Sequence, residues 1–196
     1  MKIVVSRYNE DITWTNQFHD QVIIINKGEP FHKENEITME NVGREGHTYY
    51  RYIYDNYDNL DDYTIFLQGN PFDHSPNLIN RIKEYQKCIL DLDIDFEYLS
   101  ERMITSNVAG CQTHDELPMR EVYEKLFGIR IENKTFAFGA GAQFVVSRNT
   151  ILKRPREFYL KIIKMLEYDI NPVEGFVIER FHPLIFGVRV TIHRKI

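Results

Sequence analysis

Residues 61–74 constrain the fold more than any other stretch, because Tyr63-Thr64-Ile65-Phe66-Leu67 runs without a break into Gln68-Gly69-Asn70-Pro71-Phe72-Asp73-His74. A continuous aromatic and β-branched run is the composition of a strand buried on both faces, as in the parallel sheets of α/β proteins. The sequence predicts a central strand over residues 63–67. Its polar tail then lies at the carboxyl end of the strand, where the diverging loops of such sheets leave a ligand crevice. Gly69 and Pro71 alone would end the strand, so Gln68, Asn70, Asp73 and His74 are candidate site residues. Asn70 and Asp73 are also residue types that satisfy their own turn backbone, which is the plainer reading.

Two further apolar runs have the same form. Residues 2–6, apolar from Ile3 to Val5, lead into Ser6-Arg7-Tyr8-Asn9-Glu10-Asp11, and Val22-Ile23-Ile24-Ile25 leads into Asn26-Lys27-Gly28. Buried strands separated by about fifteen residues read as a parallel βαβ unit. Arg7 has the charge to meet a phosphate and Tyr8 the ring to stack on a base; the same segment would serve equally as a solvated loop, with Asn9 or Asp11 capping a short helix. Residues 29–40 show no period and read as a surface loop. A helix follows Asn41, its Tyr50, Ile53, Tyr54 and Tyr57 repeating at i, i+3, i+4 and i+7 toward the core. Arg44, Glu45 and His47 fall in its first turns, where free N–H groups favour an anion.

The second half predicts a helix over residues 77–90, then Asp91-Leu92-Asp93-Ile94-Asp95, which is either a chelating pair or, with its carboxylates on the wet face, an edge strand running on into Phe96-Glu97-Tyr98-Leu99. A helix over 118–127 begins at Asp115 or Glu116. In the patch 135–148, the glycines and alanines let backbone approach a bulky ligand or pack strands tightly, and a strand over 143–146 hands on to a helix at Ser147 or Asn149. Residues 151–166 hold one or two helices divided at Pro155. Glu179 and His182, three apart, share a helical face and suit a general base and a metal ligand, or a surface carboxylate beside a structural imidazole. Residues 188–192 read as a closing strand.

A chain of 196 residues that is 43% hydrophobic fills one core and predicts a single domain, residues 1–196. Its net charge of −5 argues against a nucleic-acid partner, since a broad phosphate-neutralising surface needs excess cations. Cys88 and Cys111 have neither metal nor disulfide spacing and read as core thiols. The N-terminal apolar run is too short for a secretory signal, and no later run approaches the ~20 residues of a membrane span, so the expectation is a cytoplasmic protein without a membrane span.

Four patches together, VVSRYNED at 4–11, NVGREGHTYYRYIYDNYDNL at 41–60, YTIFLQGNPFDH at 63–74 and GAQFVVSRNTILKRPREFY at 141–159, resemble a family known chiefly as a domain of unknown function. The closing ERFHPLIFG at 179–187 looks like that family's terminal motif. The family suggests similarity to glycosyltransferases of the GT-A type, including virus-encoded ones. That resemblance implies a single-domain, GT-A-like (Rossmann-like) α/β fold with a mixed, mostly parallel sheet flanked by helices. It implies an enzyme moving a sugar from a nucleoside diphosphate donor, UDP by expectation, to a glycan or other hydroxyl acceptor. Carried onto this sequence, it implies that Ser6, Arg7, Tyr8, Asn9, Arg44, Gln68, Gly69 and Asn70 border the nucleotide sugar and that Gly139, Ala140, Gly141 and Gln143 shape the acceptor side. Glu179 and Asp73 become catalytic candidates, and Asp73, His74 and His182 candidate ligands of a divalent Mn²⁺ or Mg²⁺. The chain departs from the pattern at the strand end, where Gln68-Gly69-Asn70 replaces the Asp-x-Asp metal motif. Two alternatives stand beside this reading: a nucleotide- or glycan-binding module without turnover, and a metal-dependent phosphohydrolase built on Asp73, His74, Asp91 and Asp93.

Overall fold

The computed structural model describes residues 1–190 apart from 90, 112, 113 and 115. Strands β1 (Lys2–Arg7), β2 (Val22–Asn26), β3 (Glu36–Thr38) and β4 (Tyr63–Gln68) run parallel in the order β3-β2-β1-β4. Beyond β4, strand β8 (Phe144–Ser147) pairs antiparallel with both β4 and the edge strand β5 (Phe96–Tyr98). The result is a mixed, mostly parallel sheet of six strands, β3-β2-β1-β4-β8-β5, in a single α/β domain. A separate antiparallel ribbon joins β6 (Met103–Asn107) to β7 (Thr135–Gly139).

Both faces of the central sheet are covered, which is why β1, β2 and β4 carry unbroken apolar runs. Alternate residues go to opposite sides. Val4, Ile25, Phe66, Phe144 and Val146 join the larger core beneath helices α1 (Arg44–Asp55), α3 (Met119–Phe127), α5 (Arg156–Leu166) and α6 (Val173–Ile185). Ile3, Val5, Ile24, Ile65, Leu67 and Val145 join a smaller core with α2 (Leu78–Lys87). The short α4 (Arg148–Leu152) follows β8 directly, capped by the Ser147 hydroxyl, which accepts from the Thr150 N–H. Of the expected stripe, Tyr50 and Ile53 are buried, while Tyr54 and Tyr57, the latter beyond the end of α1, pack half-buried against the core; Tyr49 and Tyr52 are buried too, with Phe66 and Phe144 against Tyr49.

Several sequence expectations change. Residues 29–40 carry β3, because Glu36 accepts from the Asn26 amide and from the Phe31 and Lys33 backbone N–H groups, pinning that loop to the sheet edge. The expected edge strand forms as β5, but it starts at Phe96, and residues 91–95 with their carboxylates lie before it. Residues 188–190 have no strand pairing, and 191–192 lie outside the described residues, as do the expected helix end at residue 90 and the helix start at Asp115. Cys88 is exposed at the end of α2, and Cys111 is buried as expected.

Candidate functional site

The register of the parallel strands sets three chain segments on one rim. Val5 pairs with Leu67, Ser6 with Gln68 and Ile25, and Arg7 with Asn26, so β1, β2 and β4 end almost level. From β1 the chain winds outward to β2 and β3, then returns to β4 on the other side; β1 and β4 thus flank the reversal of strand order, where α/β sheets hold their ligands. A cleft of about 650 Å³ opens there. Ser6, Arg7, Tyr8, Gln68, Asn70 and Asp73 line it from the β1 and β4 loops, and Arg44 lines it from the start of α1. Tyr8, Asn70 and Asp73 are exposed and Ser6 is nearly buried, so the cleft deepens from lip to strand ends.

The cations in the cleft are differently committed. Arg7 is largely a staple: its Nε donates to the Glu10 carbonyl at 3.0 Å, and its Nη1 donates to Asn26 Oδ1 at 2.8 Å and the Glu29 carbonyl at 3.2 Å, with the Phe31 ring beneath. Lys27 directly follows β2 and is 7% exposed. Its ammonium donates to the carbonyls of Val42 and Arg44 at 2.5 and 2.6 Å, and burial lowers its pKa to about 8 against the raising effect of the Glu45 carboxylate. Arg44 has a left-handed φ of 53° and lays its guanidinium on the Phe176 ring at 4.2 Å. A strained non-glycine backbone held by a stacked side chain is the kind of outlier found at ligand sites.

The α1 terminus offers less to an anion than the sequence suggests. The Gly43 and Arg44 N–H groups already donate to the carbonyls of Asp169 and Ile170 in the α5–α6 connection. Glu45 instead brings a carboxyl to the cleft wall. Its side chain is 11% exposed and stands 3.8 Å from Arg44 Nε, an ion pair too long for a hydrogen bond. Burial raises the Glu45 pKa, Arg44 opposes that rise and Glu179 adds to it.

The remaining expected site residues stand behind the cleft or away from it. Asn9, at φ 66°, turns its Oδ1 to the Glu29 N–H at 2.8 Å and serves the loop. Gly69 gives its carbonyl to the Trp14 indole N–H at 3.0 Å. The glycines of 139–141 make room for side chains of the protein itself: a Cβ on Gly139 would stand 2.7 Å from the Tyr98 ring, and one on Gly141, at φ 87°, 2.5 Å from the His74 ring. Ala140 is buried; Gln143 is wholly so, and its amide donates to the Pro71 carbonyl at 3.0 Å. None of these four lines the cleft. Glu179 accepts the Gly141 N–H at 2.9 Å and so holds this loop behind His74. His182 is at the centre of the core, between Phe144 at 4.6 Å and Tyr50, whose hydroxyl lies 2.6 Å from Nδ1. Burial lowers its pKa to about 3.

These positions test the proposed metal ligands. Asp73 reaches the cleft; His74, half-buried beside it in the chain, packs its ring on Gly141, and His182 is sealed in the core away from Asp73. Among the described residues no three His, Cys, Asp or Glu side chains are grouped to hold a metal ion. Asp91 and Asp93 follow α2 near the amino end of β4, where Leu92 accepts from the Tyr63 hydroxyl, whereas Asp73 follows its carboxyl end. Six residues of strand, about 20 Å, separate the two ends, so the phosphohydrolase grouping does not form.

A family model described as a protein of unknown function, DUF3431, matches residues 3–194. The chain belongs to DUF3431. No curated protein and no solved structure matches it. For this DUF3431 chain the sequence reading missed Lys27, Asn41, Ile170 and Asn171 on the cleft wall, and it left Glu10 and Glu45 without a role of their own. Lys27 was open to discovery, since it follows a parallel strand on the same rim as Arg7. Ile170 and Asn171 were not, because only the packing of α1 against α5 brings their turn across from β1. Among the described residues, no helix is long and apolar enough to cross a membrane.

Proposed function

We propose that the chain transfers a sugar from a nucleoside diphosphate, UDP by expectation, to a hydroxyl acceptor, with the diphosphate seated in the rim cleft in the manner of GT-A-type enzymes. The observation that carries this reading is the convergence of Ser6, Arg7, Tyr8, Arg44, Gln68, Asn70 and Asp73, from three distant segments, on one cleft at the reversal of strand order. Tyr8, 54% exposed at the lip, has a free face for a base. Lys27 and the stacked Arg44 supply positive charge for the diphosphate, and Gln68 and Asn70 supply amides for sugar hydroxyls. Asp73 suits a hard cation shared with phosphate oxygens, since Mg²⁺ is commonly held by one or two carboxylates plus substrate phosphates. Such an ion, when bound, would offset the charge that grows on the departing diphosphate.

The acceptor proton needs a carboxylate at the cleft, and Glu45 fits that role better than Glu179. Its carboxyl lines the cavity, and burial raises its pKa, which makes it a stronger base than an exposed carboxylate. Glu179 is turned to the Gly141 N–H and acts through Glu45, as a second negative charge behind it. The neutral Gln68-Gly69-Asn70 at the strand end favours a second reading, a nucleotide-binding module without turnover. Calorimetric titration with UDP and UDP-sugars, with and without Mn²⁺, followed by an assay of donor hydrolysis, separates the two. The transferase reading expects metal-dependent binding and slow hydrolysis that Glu45→Gln suppresses with donor affinity kept. Binding without hydrolysis supports the module, and no nucleotide binding overturns both.

A further inference from the structure

A second, larger cavity lies at the other end of α6. The turn before α6 contributes Asn171 to the rim cleft, and its last turn contributes Pro183 and Leu184 to a cavity of about 840 Å³. Ten helical residues, Val173 to His182, about 15 Å, separate the two. The floor of this second cavity is aromatic and aliphatic: Tyr123 and Phe127 of α3, Phe136 of β7, and Leu184 and Val188. Its charge is one-sided. Lys134, Arg154 and Arg189 line it and, among the described residues, no Asp or Glu does, although the chain as a whole carries a net charge of −5.

Two of these cations are held in place before any ligand arrives, and Arg189 is exposed beside them. Arg154 donates through Nε to the Ile185 carbonyl at 2.9 Å and through Nη2 to the Leu184 carbonyl at 3.4 Å, and lies over the rings of Phe127 and Phe158. Lys134 stands over the Tyr123 ring at 5.6 Å. Among the described residues, none of the three forms an ion pair with a carboxylate. Unpaired cations around an apolar floor complement a molecule with an anionic head and an apolar body. The volume is within the roughly 300–1,000 Å³ range of small-molecule sites. We infer that this cavity binds a small amphipathic anion, a single acidic head on an apolar chain. The inference is independent of the transferase reading, because it involves no residue of the rim cleft.

Calorimetric titration of the full chain with dodecanoate below its micelle concentration tests it. The expected result is saturable binding of one molecule, with dodecanol at least about tenfold weaker, equal to about 1.4 kcal/mol. Lys134→Gln with Arg189→Gln, both at exposed positions, should weaken dodecanoate by a similar factor, and Thr105→Glu, which sets a carboxylate in the lining, should abolish it. UDP in the titration should change nothing. Equal affinity for dodecanol, or unaltered dodecanoate affinity in both variants, overturns the inference. Binding to phosphatidylglycerol vesicles with no binding of monomeric dodecanoate also overturns it, in favour of a membrane-surface role for this face.

Discussion

Lowering the pH should destabilise this fold through two buried imidazoles. His182 is fully buried beside the rings of Tyr49, Tyr50 and Phe144, with the Tyr50 hydroxyl at its Nδ1, and is held at a pKa of about 3 against an ordinary 6.5, by burial alone. Because the folded value lies below the unfolded one, the neutral ring's contribution is complete above pH 6.5 and is lost as the pH falls from 6.5 toward 3. At 1.36 kcal/mol per pH unit the whole window amounts to about 5 kcal/mol, of which about 2 kcal/mol is lost between pH 7 and pH 5. His47, also buried, is lowered to about 4 by burial and by Lys27, and adds about 2 kcal/mol over the same interval. Glu45 works the other way: its raised pKa makes its charged form costly at neutral pH, and protonation relieves that cost as the pH falls. Urea unfolding followed by Trp14 fluorescence at pH 7, 6 and 5 measures the sum. His182→Gln should lower stability at pH 7 and shallow the pH dependence by about 2 kcal/mol between pH 7 and 5, while the wild-type His182 ring should show no titration above pH 4 by NMR. A ring that titrates near 6.5, or an unaltered slope in the variant, refutes the argument.

Gly141→Ala should be far more damaging than its size suggests. The new methyl group would meet the His74 ring at a backbone φ of 87°, and left-handed strain with overpacking costs about 2–4 kcal/mol, a fall of roughly 10 °C in thermal midpoint. Calorimetric scanning checks it, and a shift below 2 °C would show that the His74 loop yields freely. Asp73→Asn, at an exposed position, should leave the midpoint within about 0.5 kcal/mol of wild type and remove any Mn²⁺-dependent part of UDP affinity. Undiminished metal dependence in that variant would take Asp73 out of the site.

The central sheet was legible because burial on both faces writes itself as unbroken apolar runs, and Ile3-Val4-Val5, Val22–Ile25 and residues 63–67 are such runs. The crevice end followed from those strands, which is why Ser6, Arg7, Tyr8, Gln68, Asn70 and Asp73 were found. What failed was the assignment of residues whose roles depend on tertiary neighbours. The glycines at 139 and 141 read equally as openings for a ligand or as room for tight packing, and only the fold shows Tyr98 and His74 filling the space. Helical spacing put Glu179 and His182 near one another without showing that α6 turns His182 into the aromatic core. Arg7 has the chemistry of a phosphate ligand, and only the loop after β2 reveals that its donors are spent on Asn26 and Glu29. β6 and β7 escaped notice since each is a short strand with one wet face, paired across some thirty intervening residues.

Hydrogen exchange measured with and without saturating UDP tests most directly whether the rim cleft is where this family member binds its ligand. The account predicts slowed exchange in residues 6–10, 41–45, 68–73 and 170–171, with the Thr105–Tyr123–Phe136 cavity unchanged. Protection confined to other segments, with those four unaltered, would contradict it.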